Sequence, residues 1–182
     1  MKGMVFTEFV DMVEDRFGLG MVDKLIEAVQ PASGGVYTSV GNYDAGELVA
    51  LVVELGKQSD TPIPELLEAF GHKIFGLFTR SYGHFFAEAT SATDFLQGIE
   101  GYIHVEVRKL YPDAELPRFD YPPAPDGMLI MEYHSERPLA HFALGLINAT
   151  VEHYGDPIEV TFEDISNGRG TDARFTLITQ RG

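Results

Sequence analysis

Tyr133, Ser135 and Arg137 stand at every second position of "LIMEYHSERP", so a chain at the strand period of two puts them in one row behind Leu129 and Met131. Leu129 to Pro138 accordingly reads as a β-strand. The chemistry of such a row is anion capture. An arginine presents a planar fork matched to a carboxylate, and each hydroxyl adds one more donor to the same anion. An apolar molecule with a carboxylate tail would suit the row, although the same residues also suit the wet face of an ordinary strand.

A second group with chemical capacity lies 29 residues upstream, in "FLQGIEGYIHVEVRKLYP". There Leu96, Ile99, Ile103, Val107 and Leu110 form a helical apolar stripe, and His104 stands about one residue's rotation from it. By pattern alone His104 fits a boundary histidine of a packed helix. A ligand role needs a large apolar cavity and a site that supplies charge. Thirteen phenylalanines and eight tyrosines supply wall material, and "FGHKIFGLF" places Ile74, Phe75 and Phe78 on adjacent turns.

The elements that must position these groups are helical first and stranded later. Met4, Phe6, Phe9, Val10, Val13 and Phe17 fall at helical spacing, and a second helix covers Met21 to Val29. A loop through "SGGVYTSVGNYDAGE" leads to a helix at Leu48 to Leu55. Pro62 or Pro64 opens another through "ELLEAFGHKIFGLFTRSYGHFF", and Asp94 is expected to cap one continuing to about Leu110. A proline-rich stretch, "YPDAELPRFDYPPAPDG", precedes the opening strand. A helix from about Leu139 to Tyr154 follows, then the strands "PIEVTFEDI" and "ARFTLITQ", joined through "SNGRGTD" as a hairpin. Helices followed by a small antiparallel sheet give an α+β fold.

Composition excludes several functions. A chain of 182 residues fits one domain, able to bury about 70% of its unfolded surface. Its formal net charge of -15 argues against gripping nucleic acid by counterion release. No apolar run approaches the roughly 18 to 20 residues that span a bilayer, and the N-terminus lacks the pattern of a signal peptide, so the expected location is the cytoplasm. The absence of cysteine removes disulfides, thiolate metal sites and a cysteine nucleophile. "SGGVYTSVG" and "FGLG" match no phosphate-binding loop, the six histidines match no zinc spacing, and no catalytic carboxylate pair is evident. Enzyme chemistry is not expected.

Taken together, the "MKG" start, "YTSVGNYD", "YIHVEVRKLYPDAELP", "YHSER" and "LAHFALGLINATVEHYG" resemble the haem nitric oxide/oxygen binding (H-NOX) domains, a bacterial family related to the haem domain of soluble guanylate cyclase. The resemblance runs over essentially the whole chain. It implies a single domain, 1–182, with an N-terminal helical subdomain at 1–60. Residues 61–182 would supply the haem-ligating helices and an antiparallel sheet of about four strands with one packed helix, the haem lying between. It further implies haem b (iron protoporphyrin IX) as cofactor, His104 as the proximal iron ligand, Tyr133, Ser135 and Arg137 as the propionate clamp, and Pro117 as the proline that presses on the haem. A neutral imidazole is a standard proximal ligand, and two propionates need such a clamp.

The resemblance also identifies the distal wall as Val5, Phe9, Ile74, Phe78, Phe142 and Leu146. Relatives that hold oxygen place a tyrosine donor on this side; here the corresponding residue is Phe142, and none of the six donates a hydrogen bond. Bound oxygen carries partial negative charge and loses roughly 1 to 3 kcal/mol without a donor in a dry pocket, whereas nitric oxide depends on one much less. The expectation is a sensor that binds nitric oxide and carbon monoxide but holds no stable oxygen. His141 adjoins Phe142, but a helix turns it about 100° away. The family implies that release of His104 shifts its helix, read by a histidine kinase or a cyclic-di-GMP enzyme. The cysteine-ligated zinc site of some relatives cannot form here. An oxygen-binding or redox-sensing haem protein, or a haem enzyme, is the alternative reading.

Overall fold

The computed structural model describes residues 1–180. Seven α-helices precede the sheet: α1 (Gly3–Phe17), α2 (Leu19–Val29), α3 (Ala45–Ser59), α4 (Ile63–Ser81), α5 (Gly83–Ala87), α6 (Ala92–Gln97) and α7 (His104–Leu110), with a π-helical turn, Ile99–Ile103, leading into α7. Strands β1 (Arg118–Asp120) and β2 (Met128–His134), helix α8 (Ala140–Tyr154), and strands β3 (Ile158–Asp164) and β4 (Asp172–Thr179) complete the chain. All strand pairs are antiparallel, in the order β1-β2-β4-β3. The α+β architecture and the β3–β4 hairpin are those expected.

Four local expectations are corrected. Helix α3 starts three residues before Leu48, inside the expected loop, because the Asp44 carboxylate accepts from the Gly46 amide at 2.6 Å and caps it. The helix opened at Pro62 and Pro64 does not continue to Phe86; it stops at Ser81, where Tyr82 turns to φ -132° and ψ 34°. Ser91, not Asp94, caps α6, its hydroxyl accepting from the Asp94 amide at 3.1 Å. Finally, 92–110 is no single α-helix. The Gly98 carbonyl accepts from both Tyr102 (2.9 Å) and Ile103 (3.1 Å), so the chain takes up one extra residue in that turn.

That extra residue matters for His104. In an unbroken helix it sits one residue's rotation off the apolar stripe; after the π turn it faces inward at 7% exposure, while Leu110, expected in the stripe, is 55% exposed.

Two apolar cores form. One gathers Phe6, Phe9, Leu25, Leu55, Phe70 and Ile74 from α1 to α4. The other gathers Phe75, Phe86, Phe95, Phe119, Met131, Tyr133 and Phe175 around the sheet. Phe78 and Leu146, on α4 and α8, pack against both. Those two helices cross with their backbones in contact: a Cβ on Gly71 would collide with the Phe142 carbonyl oxygen and lie 3.0 Å from the Gly145 Cα, and one on Gly145 would collide with the Glu68 carbonyl. Gly71→Ala is therefore expected to destabilise the fold by about 1 to 3 kcal/mol through overpacking. Urea unfolding with an unchanged midpoint would contradict that crossing.

Candidate functional site

The anion-binding row is placed differently from its expected strand. Only Tyr133 lies within β2, which ends at His134, where the Ser135 amide donates to the Thr171 carbonyl (2.9 Å) beyond the ladder. Ser135 and Arg137 occupy the bend that follows. The Arg137 amide donates to the Ser135 hydroxyl at 3.0 Å, a side-chain turn that ends the extended run a few residues before α8. The three residues thus form an inward strand position and a curled extension of it, not one straight row.

Tyr133 is buried opposite Phe119 of β1 and Ala173 of β4, with its ring 5.6 Å from that of Phe119. Burial pushes its phenol up to about 12, the Ser135 hydroxyl opposing in part, so it remains a donor at neutral pH. Arg137 is ion-paired to the Glu115 carboxylate and also donates to the Glu115 carbonyl at 3.1 Å. Sequence reasoning missed Glu115, which lies in the proline-rich segment, inside "YIHVEVRKLYPDAELP", and was assigned no role there. Pro117, two residues on, leads directly into β1 and is half-buried.

His104 also meets Phe119, their rings 6.1 Å apart, so Phe119 contacts both the histidine and Tyr133. The His104 Nδ1 lies 3.0 Å from Glu100 Oε1, the same oxygen that accepts from the Phe119 amide at 2.8 Å. Burial pushes the imidazole below the ordinary histidine value, and Glu100 opposes that shift. The neutral ring that results is the form able to ligate a metal. Glu100 was also missed, although its spacing of four from His104 is a readable helical signal.

The six residues expected on the distal wall come together. Phe9 and Ile74 belong to the α1–α4 core, and Val5, Phe78, Phe142 and Leu146 pack against it. Phe70, which sequence reasoning left out, bridges them: its ring lies 5.4 Å from Phe9 and 5.1 Å from Phe142. His141 faces elsewhere. Its Nδ1 meets Glu68 at 2.8 Å, its ring packs tilted against that of Phe162 at 4.4 Å, and it lines a separate cleft of about 320 Å³ with Leu48, Val52 and Leu67.

These residues fit haem by their chemistry. They comprise a neutral buried imidazole with one nitrogen engaged by Glu100, an arginine and two hydroxyls at one edge, and aromatic and aliphatic walls. Among the described residues no group of three or more histidine, aspartate or glutamate side chains could hold a metal ion by itself, and no helix is long and apolar enough to cross a membrane.

Comparison with known proteins agrees with this chemistry. The unliganded Fe(II) H-NOX protein from K. algicida is 42% identical, with a TM-score of 0.95 over 100% of this chain and 98% of that one. The H-NOX from Shewanella woodyi, in its Fe(II)CO state with IWP-051 bound, is 38% identical, with a TM-score of 0.82 over 99% and 95%. An H-NOX protein from S. oneidensis in the Fe(II)NO state is 26% identical, with a TM-score of 0.89 over the full length of both chains. No curated protein matches. The profile described as Haem-NO-binding matches residues 2–162, and on that match and the identity to the K. algicida protein the chain belongs to the H-NOX family of haem-binding gas-sensor domains.

Proposed function

We propose that this protein is a nitric oxide sensor that carries haem b, binds carbon monoxide as well, and forms no stable oxygen complex. The observation that carries the reading is the distal wall: Phe142, Phe9, Ile74, Phe78, Val5 and Leu146 converge without a hydrogen-bond donor, and His141, the nearest imidazole in sequence, is turned onto Glu68. Haem bound here supplies the iron that takes up the gas. His104 would be the axial ligand, Tyr133, Ser135 and Arg137 would hold the propionates, and Pro117 would lie against the ring. The gas-binding relatives support the chemistry, since one is an Fe(II)NO complex and another an Fe(II)CO complex.

As the chain's axial tether, His104 would on release leave α7 joined to β1 through the Glu100–Phe119 bond and, at its C-terminal end, to Tyr82 through the Tyr111 hydroxyl at 2.9 Å. A shift of α7 against the sheet is then the output; both lie within 61–182, with 1–60 as the N-terminal helical subdomain. The reader of that shift would be a histidine kinase or cyclic-di-GMP enzyme in the cytoplasm. A net charge of -15 favours a basic docking face on it.

Absorption spectra of the ferrous protein alone, with nitric oxide, with carbon monoxide and in air test the selectivity. The first three should differ, and air should give slow oxidation without a distinct oxygen spectrum. A persistent oxygen spectrum would favour the oxygen-binding alternative; steady peroxide turnover well above that of free haem would favour the enzyme.

The clamp makes a smaller prediction. Glu115 occupies the Arg137 guanidinium that a propionate would use, and it is largely exposed. Exposed ion pairs contribute roughly 0.2 to 1 kcal/mol, so Glu115→Gln should slow haem loss to a scavenger protein by no more than about fivefold. Faster loss would mean that Glu115 supports the clamp rather than competes for it.

A further inference from the structure

Glu100 stands in the π turn, one helical turn before His104, and its single oxygen Oε1 serves two donors from different elements. One is the His104 ring at Nδ1; the other is the amide of Phe119, in the strand that lies against Tyr133. Oε1 already accepts from the Phe119 amide, so it meets the ring as an acceptor too, and Nδ1 carries the hydrogen. That leaves Nε2 with its lone pair free. A histidine held in this way by a carboxylate is oriented, fixed in one tautomer and made more basic toward a metal.

We propose that Glu100 is the positioning residue of the proximal side: it fixes His104 with Nε2 bare and joins the histidine helix to β1 through the Phe119 amide. The inference rests on His104 being the iron ligand. It gives the π turn a purpose, because the extra residue turns His104 inward while the carboxylate four residues earlier still reaches its ring. It also gives the output a route. Any movement of His104 pulls on Glu100, and through Phe119 on the strand beside the propionate clamp.

A merely structural carboxylate would affect folding through the Phe119 contact and nothing else. Glu100→Gln separates the roles, since a carboxamide keeps the size and can still accept from the Phe119 amide but loses the charge felt by the ring. Two readouts are taken on the full haem-loaded chain. The first is the iron–histidine stretch in resonance Raman of the ferrous protein, which should move to lower frequency in Glu100→Gln and further in Glu100→Ala. The second is the His104 ring N–H by ¹⁵N-edited NMR of the carbon monoxide form, whose proton should move upfield in Glu100→Gln as its bond to the acceptor weakens.

Unchanged stretch and ring N–H in both variants, with only a lowered melting temperature, would overturn the proposal. If the wild type shows no iron–histidine stretch, or His104→Gly retains it, the ligation reading fails instead. The ring N–H still reports in that case whether Glu100 holds the His104 proton, and an unshifted signal in Glu100→Gln overturns the bond itself. Where Glu100→Ala does not fold, Glu100→Gln alone decides.

Discussion

Replacing His104 with glycine is expected to abolish the iron–histidine bond and to lower ferrous haem affinity by at least roughly tenfold to a hundredfold, because loss of a ligand costs no less than loss of a group that merely orients one. No other histidine is poised to substitute. His72 is paired with Glu152, His134 with Asp120 and Asp172, and His141 with Glu68, while His84 packs on Phe85 and His153 packs against Phe75 and Phe86. Tyr133, Ser135 and Arg137 remain, so some haem should still bind. The missing ring leaves a space of its own shape beside Phe119, and free imidazole should enter it and restore the ligated spectrum. The glycine itself costs about 1 kcal/mol at the start of α7, which separates a modest loss of stability from the much larger loss of haem. A variant whose spectrum equals that of the wild type without added imidazole would remove His104 from the site.

What the sequence made legible follows from the period of each element. Alternation located β2 and put Tyr133 inward, since a strand with one buried face has only one workable register. It did not reveal where the strand stops, because Ser135 and Arg137 continue the alternation by residue type while a local side-chain turn decides their geometry. Periodicity of 3.6 likewise found the helix of His104 but misjudged its rotation. A π turn adds a residue without any change in composition, and Gly98 and Gly101 only weaken the preference for regular helix. Strand β1 was invisible for a different reason: its three residues form on β2 and carry too little pattern of their own among prolines. The distal wall emerged from resemblance; its bridge, Phe70, is an ordinary core position until the packing shows it touching both Phe9 and Phe142.

That bridge bears on the second large effect, the gain of oxygen binding in Phe142→Tyr. The substitution adds one hydroxyl to a side chain that is already placed against the distal core, with its helix fixed by the Gly71–Gly145 crossing. A donor in a water-poor pocket contributes roughly 1 to 3 kcal/mol to a partially negative ligand, which corresponds to about fivefold to 150-fold slower oxygen loss. Nitric oxide binding should change far less, because it asks less of a donor. Phe70→Tyr provides the control. Phe70 is fully buried between Phe9 and Phe142, so a hydroxyl there meets carbon on both sides and should destabilise the fold by about 1 to 3 kcal/mol without producing an oxygen complex. Stopped-flow mixing of the ferrous proteins with oxygen distinguishes the cases. A Phe142→Tyr protein that holds oxygen no longer than the wild type, while folding normally, would place the gas somewhere other than against Phe142 and would withdraw the physical basis for selectivity.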